Sequence, residues 1–406
     1  MHSSKVICPQ IPVARRVLRV AVVTETYPPE VNGVAMTISR MVAGLQQRQH
    51  QVQLIRPRQH REDSAANTYN FKEVLQRGVV IPRYATLKMG LPAKRALLRL
   101  WALQRPDVVH LVTEGPLGWS ALAAAVKLGI PCSSDFHTNF QSYSRHYGIG
   151  WLEKPILAYL RRFHNKADCT LIPTSSLLHE LKNHGYLNLR VVMRGVDTRL
   201  FNPNKRDAAL RREWDVRPEQ SVALYVGRLA PEKNLPLVVR AHAAMKAAQP
   251  GVRMVLVGDG PEHAALQAAH PDYVFAGMRT GEALAAHFAS GDVFLFPSTT
   301  ETFGNVTLEA MASGLAAVAY DYAAAGEHIR HGHNGMVAPY DHADDFVASA
   351  AYLAGDRERI AHLGRNARTT AEAIDWEAVN DEFEAALLEV IAAHQQRAAA
   401  GMKLSA

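Results

Sequence analysis

Two glutamates, Glu301 and Glu309, lie eight residues apart on either side of a glycine-containing turn in the segment FPSTTETFGNVTLEAMASG, residues 296–314. A strand is predicted before the turn and a helix after it. Phosphate oxygens are favoured at a helix N-terminus by hydrogen bonding and by the helix dipole, and carboxylates accept hydrogen bonds from sugar hydroxyls. The pair therefore suits a nucleotide sugar, one glutamate for the hexose and the other for the ribose. The amides expected to bind the diphosphate are those of Asn305, Val306 and Thr307.

Each glutamate also has a simpler interpretation. Glu309 alone could have a helix-capping role, and Glu301 alone could be a solvated charge in a loop. Two cations, Arg228 and Lys233, follow a predicted strand over 222–227, where they could neutralise a departing diphosphate. The alternative for this second pair is a surface ion pair with Glu232.

Two positions in the first half complete the candidate chemistry. Gly33, in the loop ETYPPEVNGV (25–34), lets the backbone turn tightly and approach a ligand, although the loop could equally be a turn without a ligand. His137 follows a predicted strand and could hold a hydroxyl or the anomeric region of a donor sugar. A lone histidine at a strand end is otherwise a satisfied structural residue.

Other segments exclude competing chemistry. The sequence GDGPE at 258–262 places His263 where a dinucleotide fingerprint needs its third glycine, so a nicotinamide enzyme is rejected. Asp344 and Asp345 are adjacent in a predicted helix without companion ligands, so we expect no required metal and no cofactor besides the co-substrate.

Short apolar runs alternate with helical patterns along the whole chain, which is typical of parallel sheets covered by crossover helices. The fold class predicted is α/β, with two doubly wound Rossmann-like domains facing across a cleft. The predicted domains are 1–195, 196–375 and a closing helix within 376–406 that packs back toward the first domain. Strands are predicted at 18–24, 52–56, 79–82, 107–112, 130–134, 169–173 and 191–194, and then at 222–227, 253–258, 273–276, 292–297, 316–320 and 335–338.

Charge is divided unevenly over the 406 residues. Residues 1–195 carry 26 Lys and Arg against 11 Asp and Glu, a balance of +15, and the remainder carries 19 against 27, a balance of −8. A basic half could meet anionic lipid headgroups or nucleic acid, or be merely a solvated surface. No apolar stretch is long enough to span a membrane and the opening residues lack a signal-peptide core, which predicts a cytoplasmic protein.

Two basic helical segments indicate a membrane-facing surface. In 82–106, Trp101 lies on an apolar stripe, with Lys94, Arg95 and Arg99 largely outside it. The second segment, 151–166, contains Arg161 and Arg162. The alternative is an ordinary domain helix that buries its apolar stripe.

Together these motifs resemble glycosyltransferase family 4, retaining enzymes of the GT-B fold, over nearly the whole chain. The similar segments are ETYPPEVNGV, DFHTNF (135–140), RGVDTRLFNP (194–203), YVGRLAPEKN (225–234), VGDGPE (257–262) and ETFGNVTLEAMASG (301–314). The resemblance implies that Glu301 and Glu309 contact the donor hexose and ribose, that Arg228 and Lys233 bind the diphosphate, that Gly33 is a flexible loop glycine and that His137 lies beside the hexose. It also implies that the nucleotide base binds to backbone groups near Met278.

The stretch around HTNF and SRHYG (144–148) is most similar to lipid-directed members of the family. We therefore expect a peripheral enzyme on the inner face of the cytoplasmic membrane that transfers a hexose, by resemblance mannose from GDP-mannose, onto a lipid or glycolipid. Alternatives are a diacylglycerol glycosyltransferase using UDP-glucose or UDP-glucuronate, and a soluble transferase for oligosaccharides. A pyridoxal-dependent phosphorylase and a nucleic-acid-binding protein are further alternatives, but no nucleic-acid motif accompanies the charge.

Overall fold

The computed structural model describes residues 16–30, 32–60, 62–81, 84–137 and 153–404. Its strands are β1 (Arg19–Val23), β2 (Gln51–Pro57), β3 (Phe71–Gln76), β4 (Gly78–Ile81), β5 (Tyr84–Gly90), β6 (Val108–Leu111), β7 (Cys132–Asp135), β8 (Cys169–Ile172), β9 (Leu189–Val191), β10 (Val222–Val226), β11 (Arg253–Val257), β12 (Val274–Gly277), β13 (Val293–Phe296), β14 (Ala316–Tyr320) and β15 (Met336–Ala338). Its helices are α1 (Gly33–Gln47), α2 (Lys94–Leu103), α3 (Pro116–Leu128), α4 (Glu153–His164), α5 (Ser175–Asn183), α6 (Ala208–Glu213), α7 (Leu235–Ala248), α8 (His263–Ala269), α9 (Gly281–Ser290), α10 (Asn305–Ala312), α11 (Ala323–His328), α12 (Ala343–Ala354), α13 (Arg357–Glu372) and α14 (Trp376–Leu404).

Apolar, β-branched strands build two parallel sheets. Within the described residues, one sheet has the strand order β3-β2-β1-β6-β7-β8-β9 and the other β12-β11-β10-β13-β14-β15. In both sheets the order reverses beside the first strand of the unit, β1 or β10, and parallel α/β sheets bind ligands at the carboxyl ends of their strands near such a reversal. The search for a site therefore begins at these two edges.

Helices cover both faces of the sheets. In the second domain, aliphatic side chains of β10, β11, β13 and β14 form one continuous core. In the first domain, the long closing helix α14 contributes Phe383, Leu387 and Val390 to a core shared with Val20 and Ile38. Burial of this apolar stripe attaches the end of the chain to the first domain.

The two domains contact one another directly. Thr302 Oγ1 donates to the carbonyl of His137 at 2.6 Å. Asn305 Nδ2 lies 3.4 Å from Thr37 Oγ1, and the Ser175 amide donates to Glu327 Oε1 at 2.6 Å. These contacts bring the loop after β13 against the carboxyl edge of the first sheet.

Two strand predictions differ from the structure, and strands β3 and β5 were not predicted. The segment 79–82 was predicted as part of the parallel sheet, but β4 pairs with β5 in an antiparallel hairpin. The sheet instead takes β3 as its edge, a strand missed because FKEVLQ carries polar residues that an edge strand can expose. The strand predicted at 191–194 ends at Val191, since β9 covers Leu189–Val191.

Candidate functional site

The helix α10 begins at the edge of the second sheet, immediately after a sharp turn. Gly304 precedes it with φ +87°, a left-handed conformation in which glycine avoids the strain of a side chain. The Thr307 amide donates to the Gly304 carbonyl at 3.0 Å, so this predicted phosphate donor is already used within the turn. The amides of Asn305 and Val306 remain the first-turn donors of our prediction.

Glu301 and Lys233 meet in front of this helix. Lys233 Nζ donates to Glu301 Oε1, and Ser298 Oγ donates to the same carboxylate oxygen at 2.8 Å. Tyr322 OH fixes the backbone beneath them by donating to the Glu301 carbonyl at 2.7 Å. The two groups that we expected to bind hexose and diphosphate therefore form one charged pair at the edge of the sheet.

Arg228 makes the contact considered as its alternative role. Its Nη1 lies 3.5 Å from Glu232 Oε1, and Glu232 is buried. Tyr225 OH donates to the Arg228 carbonyl at 3.0 Å and so holds the strand-to-loop junction. The guanidinium is still partly exposed at the carboxyl end of β10, so this pairing does not remove it from the cleft.

Glu309 lies inside α10 and is half-buried. Burial raises the pKa of its carboxyl group to about 7. Among the described residues, no hydrogen bond to this carboxylate is found. A half-buried carboxylate of this kind can accept hydrogen bonds from hydroxyl groups of a ligand.

Gly33 and His137 belong to the opposite edge. Gly33 begins α1, whose N-cap is Asn32, with Asn32 Oδ1 accepting from the Ala35 amide at 2.8 Å. A Cβ at Gly33 would lie 3.8 Å from Asn305 Nδ2. His137 follows β7, and its carbonyl accepts from Thr302, the residue after Glu301. Gly33 and His137 of the first domain thus lie against Asn305 and Thr302 of the second.

Met278 was predicted to lie near the nucleotide base, and the two basic helical segments were predicted to face a membrane. Met278 follows β12, and 57% of its surface is exposed. Trp101 was predicted to face a membrane, but that prediction is wrong: it is 1% exposed, packs in the core with Leu97, and donates from Nε1 to Gln53 Oε1. Helix α2 buries its stripe as an ordinary domain helix. The basic residues Lys94, Arg95, Arg99, Arg161 and Arg162 are exposed. SRHYG and most of HTNF lie outside the described residues.

Two residues near His137 were missed by sequence analysis. Asp135, the last residue of β7, is fully buried, and its Oδ2 lies 3.0 Å from His137 Nε2. Thr302, next to Glu301, holds the His137 backbone from the other domain. An acidic residue ending a buried strand is unusual enough to have drawn attention to Asp135, whereas nothing in the sequence distinguishes Thr302.

Two features are absent from the described residues. No three His, Cys, Asp or Glu side chains come together there as a metal site. No helix within the same residues is long and apolar enough to cross a membrane.

Known proteins resemble this chain along most of its length. The family model described as Glycosyltransferase Family 4 matches residues 31–200, and that described as Glycosyl transferases group 1 matches residues 220–356. A GDP-mannose-dependent alpha-mannosyltransferase of Mycolicibacterium smegmatis is 34% identical over 371 residues, 90% of this chain and 96% of that protein. The alpha-monoglucosyldiacylglycerol synthase of Acholeplasma laidlawii is 25% identical, over 92% of this chain and 98% of that protein.

The fold is shared with solved enzyme structures. Sucrose-phosphate synthase from Thermosynechococcus elongatus superposes with a TM-score of 0.74 at 17% identity, covering 93% of this chain and all of that one. Both domains are therefore arranged as in the GT-B fold, and the predicted fold class is confirmed. Because the family models cover both halves and a close relative matches along almost its entire length, the chain is a glycosyltransferase and belongs to glycosyltransferase family 4.

Proposed function

We propose that this enzyme transfers mannose from GDP-mannose, with retention of the α configuration, onto a lipid or glycolipid acceptor. The observation that carries the donor part is the contact between Lys233 and Glu301 in front of the α10 N-terminus. It joins a diphosphate-binding cation to a carboxylate that can accept from sugar hydroxyls. The choice of GDP-mannose rests on the name of the 34% identical relative.

The diphosphate would bind between the two cations and the helix. Arg228 and Lys233 supply positive charge, and the amides of Asn305 and Val306 supply directed donors. In this proposal, stabilising negative charge that grows on the departing diphosphate lowers the barrier to its departure. The residues would perform this role without a bound metal ion.

The carboxylates would orient the sugars. Glu301, already aligned by Ser298, would accept from hydroxyls of the hexose. Glu309, which is half-buried in α10, would accept hydrogen bonds from ribose hydroxyls. His137 would contact the hexose from the first domain, near the reacting carbon.

Transfer with retention would proceed on one face of the sugar. The bond between C1 of the hexose and the β-phosphate oxygen breaks, and the acceptor hydroxyl oxygen bonds to C1 from the same face. The acceptor proton passes to the departing phosphate oxygen, which then leaves as part of the nucleoside diphosphate. No carboxylate positioned as a covalent nucleophile is required by this route.

The donor can be tested by thermal denaturation of the full chain. We expect GDP-mannose and GDP to raise the melting temperature, because a ligand that binds only the native state stabilises it. UDP-glucose, UDP-glucuronate, an ADP sugar and an RNA oligonucleotide serve as comparisons. Stabilisation by a UDP sugar alone would replace the mannose assignment with the diacylglycerol glucosyl or glucuronosyl alternative, and no stabilisation by any of them would refute the proposed site.

The lipid acceptor is supported by exposed basic side chains on the first domain, from α2 and α4, and by the name of the diacylglycerol synthase relative. We propose that these residues hold the enzyme on the inner face of an anionic cytoplasmic membrane. Binding to vesicles containing phosphatidylglycerol should weaken as salt rises, since screening shortens the reach of surface charges. Transfer to a water-soluble oligosaccharide without vesicles would favour the soluble alternative.

A further inference from the structure

A carboxylate is buried directly beneath His137. Asp135 ends β7, and none of its surface is exposed. Removing a carboxylate from water costs several kcal/mol unless other charges or hydrogen bonds offset the loss. The groups around Asp135 therefore indicate why the fold tolerates it.

Three basic side chains surround one oxygen of Asp135. Its Oδ2 lies 3.0 Å from His137 Nε2, 3.4 Å from Arg194 Nη2 and 3.6 Å from His110 Nε2. Burial by itself would raise the pKa of Asp135, but Arg194, His137 and His110 outweigh it and hold the pKa well below the ordinary value. The carboxylate is consequently ionised and fixed in place.

Only one of these three partners reaches the cleft. His110 is fully buried and Arg194 is 2% exposed, while 8% of the His137 side chain is exposed. Among the described residues, Asp135 Oδ1 and Arg194 Nη1 have no hydrogen-bond partner, and the contact from His137 Nε2 is short without being aligned as a hydrogen bond. Such contacts at active sites often become aligned only when substrate binds.

We propose that Asp135 is a positioning residue that sets which nitrogen of His137 carries a proton and which faces the donor sugar. The negative charge of a carboxylate oxygen 3.0 Å from Nε2 favours the proton on that nitrogen. In the neutral ring, Nδ1 is then left as the acceptor for a hexose hydroxyl. Arg194 fixes the carboxylate, so that the ring, and not the aspartate, adjusts to the ligand.

This inference rests on the proposed role of His137, and the chain offers a matched control for it. Asp168 lies at the opposite end of β7, where Oδ2 accepts from the Cys132 amide at 2.8 Å. It also has a histidine and an arginine as partners, with His394 Nδ1 at 3.3 Å and Arg397 in contact. Asp168 is the residue before β8 and is not part of β7. Asp168→Asn thus removes a carboxylate with similar partners without touching His137.

The first measurement is the ¹⁵N spectrum of the histidine side chains in the full chain, with His137→Gln identifying the His137 signals. We expect a proton on Nε2 in the wild type and in Asp168→Asn, and loss of this preference in Asp135→Asn. A wild-type ring protonated only on Nδ1 would overturn the inference, and this result does not depend on whether Asp135→Asn folds.

The second measurement is a double-mutant cycle on turnover. Asp135→Asn should lower kcat tenfold or more with KM for the donor changed by less than threefold, and it should have almost no further effect in a His137→Gln background. An equal loss in both backgrounds would mean that Asp135 is merely structural. Full turnover of His137→Gln would instead refute the proposed role of His137, while the spectra would still report whether Asp135 selects the protonated nitrogen.

Discussion

The two sheets differ in where they keep their polar residues. Strands β10, β13 and β14 of the second domain are uniformly buried and almost wholly apolar, and its candidate donor-binding groups lie in the loops and helices that follow. In the first domain, buried polar side chains lie within the strands themselves: His110 in β6, and Ser133, Ser134 and Asp135 in β7. Ser133 Oγ lies 3.0 Å from His110 Nδ1.

The two domains therefore hold their candidate site residues in different ways. In the second domain, the candidate donor-binding groups lie in loops and helices attached directly to an apolar core. The first domain holds its one proposed catalytic group, His137, through a buried polar network. We therefore expect substitutions in the second domain to act on donor binding directly, and substitutions in the first domain to act through position or surface charge.

The largest effect is expected at Glu301. Replacing it with Ala removes an acceptor for the hexose and leaves Lys233 without its carboxylate partner. Hydrogen bonds to charged groups contribute up to about 3 kcal/mol, so turnover should fall about a hundredfold. Initial-rate measurements would check this.

Glu282→Ala is the matched control for Glu301, because Glu282 also pairs with a lysine, Lys205, but on an exposed surface. It should retain turnover within a factor of two. If both alanine variants transferred the sugar as fast as the parent, the second domain would not bind the donor in the way proposed.

The next largest effect is expected at two carboxyl groups whose pKa is raised by burial, Glu25 in the first domain and Glu309 in the second. Burial raises the pKa of both Glu25 and Glu309 to about 7, and Glu25 accepts from the Leu117 amide at 3.0 Å. Between pH 4.5, the ordinary carboxyl value, and pH 7, each native group keeps a proton that the unfolded chain releases. The free energy of unfolding therefore falls as pH rises through this window.

Replacing either residue with Gln should reduce that fall, by at most about 3 kcal/mol. Urea unfolding of each variant at several pH values from 4.5 to 8 would measure it. We also expect weaker GDP binding for Glu309→Gln. GDP binding should be unchanged for Glu25→Gln, because the Glu25 carboxyl group contacts a helix terminus. Identical pH slopes in variant and parent would contradict the assigned burial.

A smaller effect is expected at Gly304, where φ is +87°. Alanine in this conformation costs about 1–2 kcal/mol, and its Cβ would lie 3.4 Å from Glu301 Cγ. Gly332 has φ +74° with nothing within 4 Å of an added Cβ, so Gly332→Ala should lose similar stability. Calorimetry should show that only Gly304→Ala weakens GDP affinity. Equal GDP affinities in the two variants would show that the turn has no part in nucleotide binding.

The smallest effect is expected on the exposed face of the first domain. Arg99→Gln should weaken binding to anionic vesicles by about 1 kcal/mol, or about fivefold, at low salt. Arg240→Gln, which removes an exposed arginine from the second domain, is the comparison. Vesicle sedimentation would measure both, and equal losses would show that general charge, not a membrane-facing surface, governs binding.

The strand, glycine turn and helix start within 296–314 were predictable because their signals are local. Glu301 and the amides of α10 could therefore be chosen as candidates from their order in the chain. The membrane prediction failed at Trp101 for a physical reason. An apolar stripe has the same spacing whether it faces lipid or a protein core, and only the packing of α2 against the first sheet distinguishes the two.

The amino-acid sequence by itself determined the α/β alternation, the two sheets and the motif residues at their edges, since each depends on neighbours a few positions away. Only the tertiary structure decided that Lys233 contacts Glu301, that Thr302 supports His137 across the domains and that Asp135 is enclosed by Arg194 and two histidines. These contacts join residues far apart in the chain, and electrostatic pairing depends on distance in space and on exclusion of water. Neither quantity can be read from residue order.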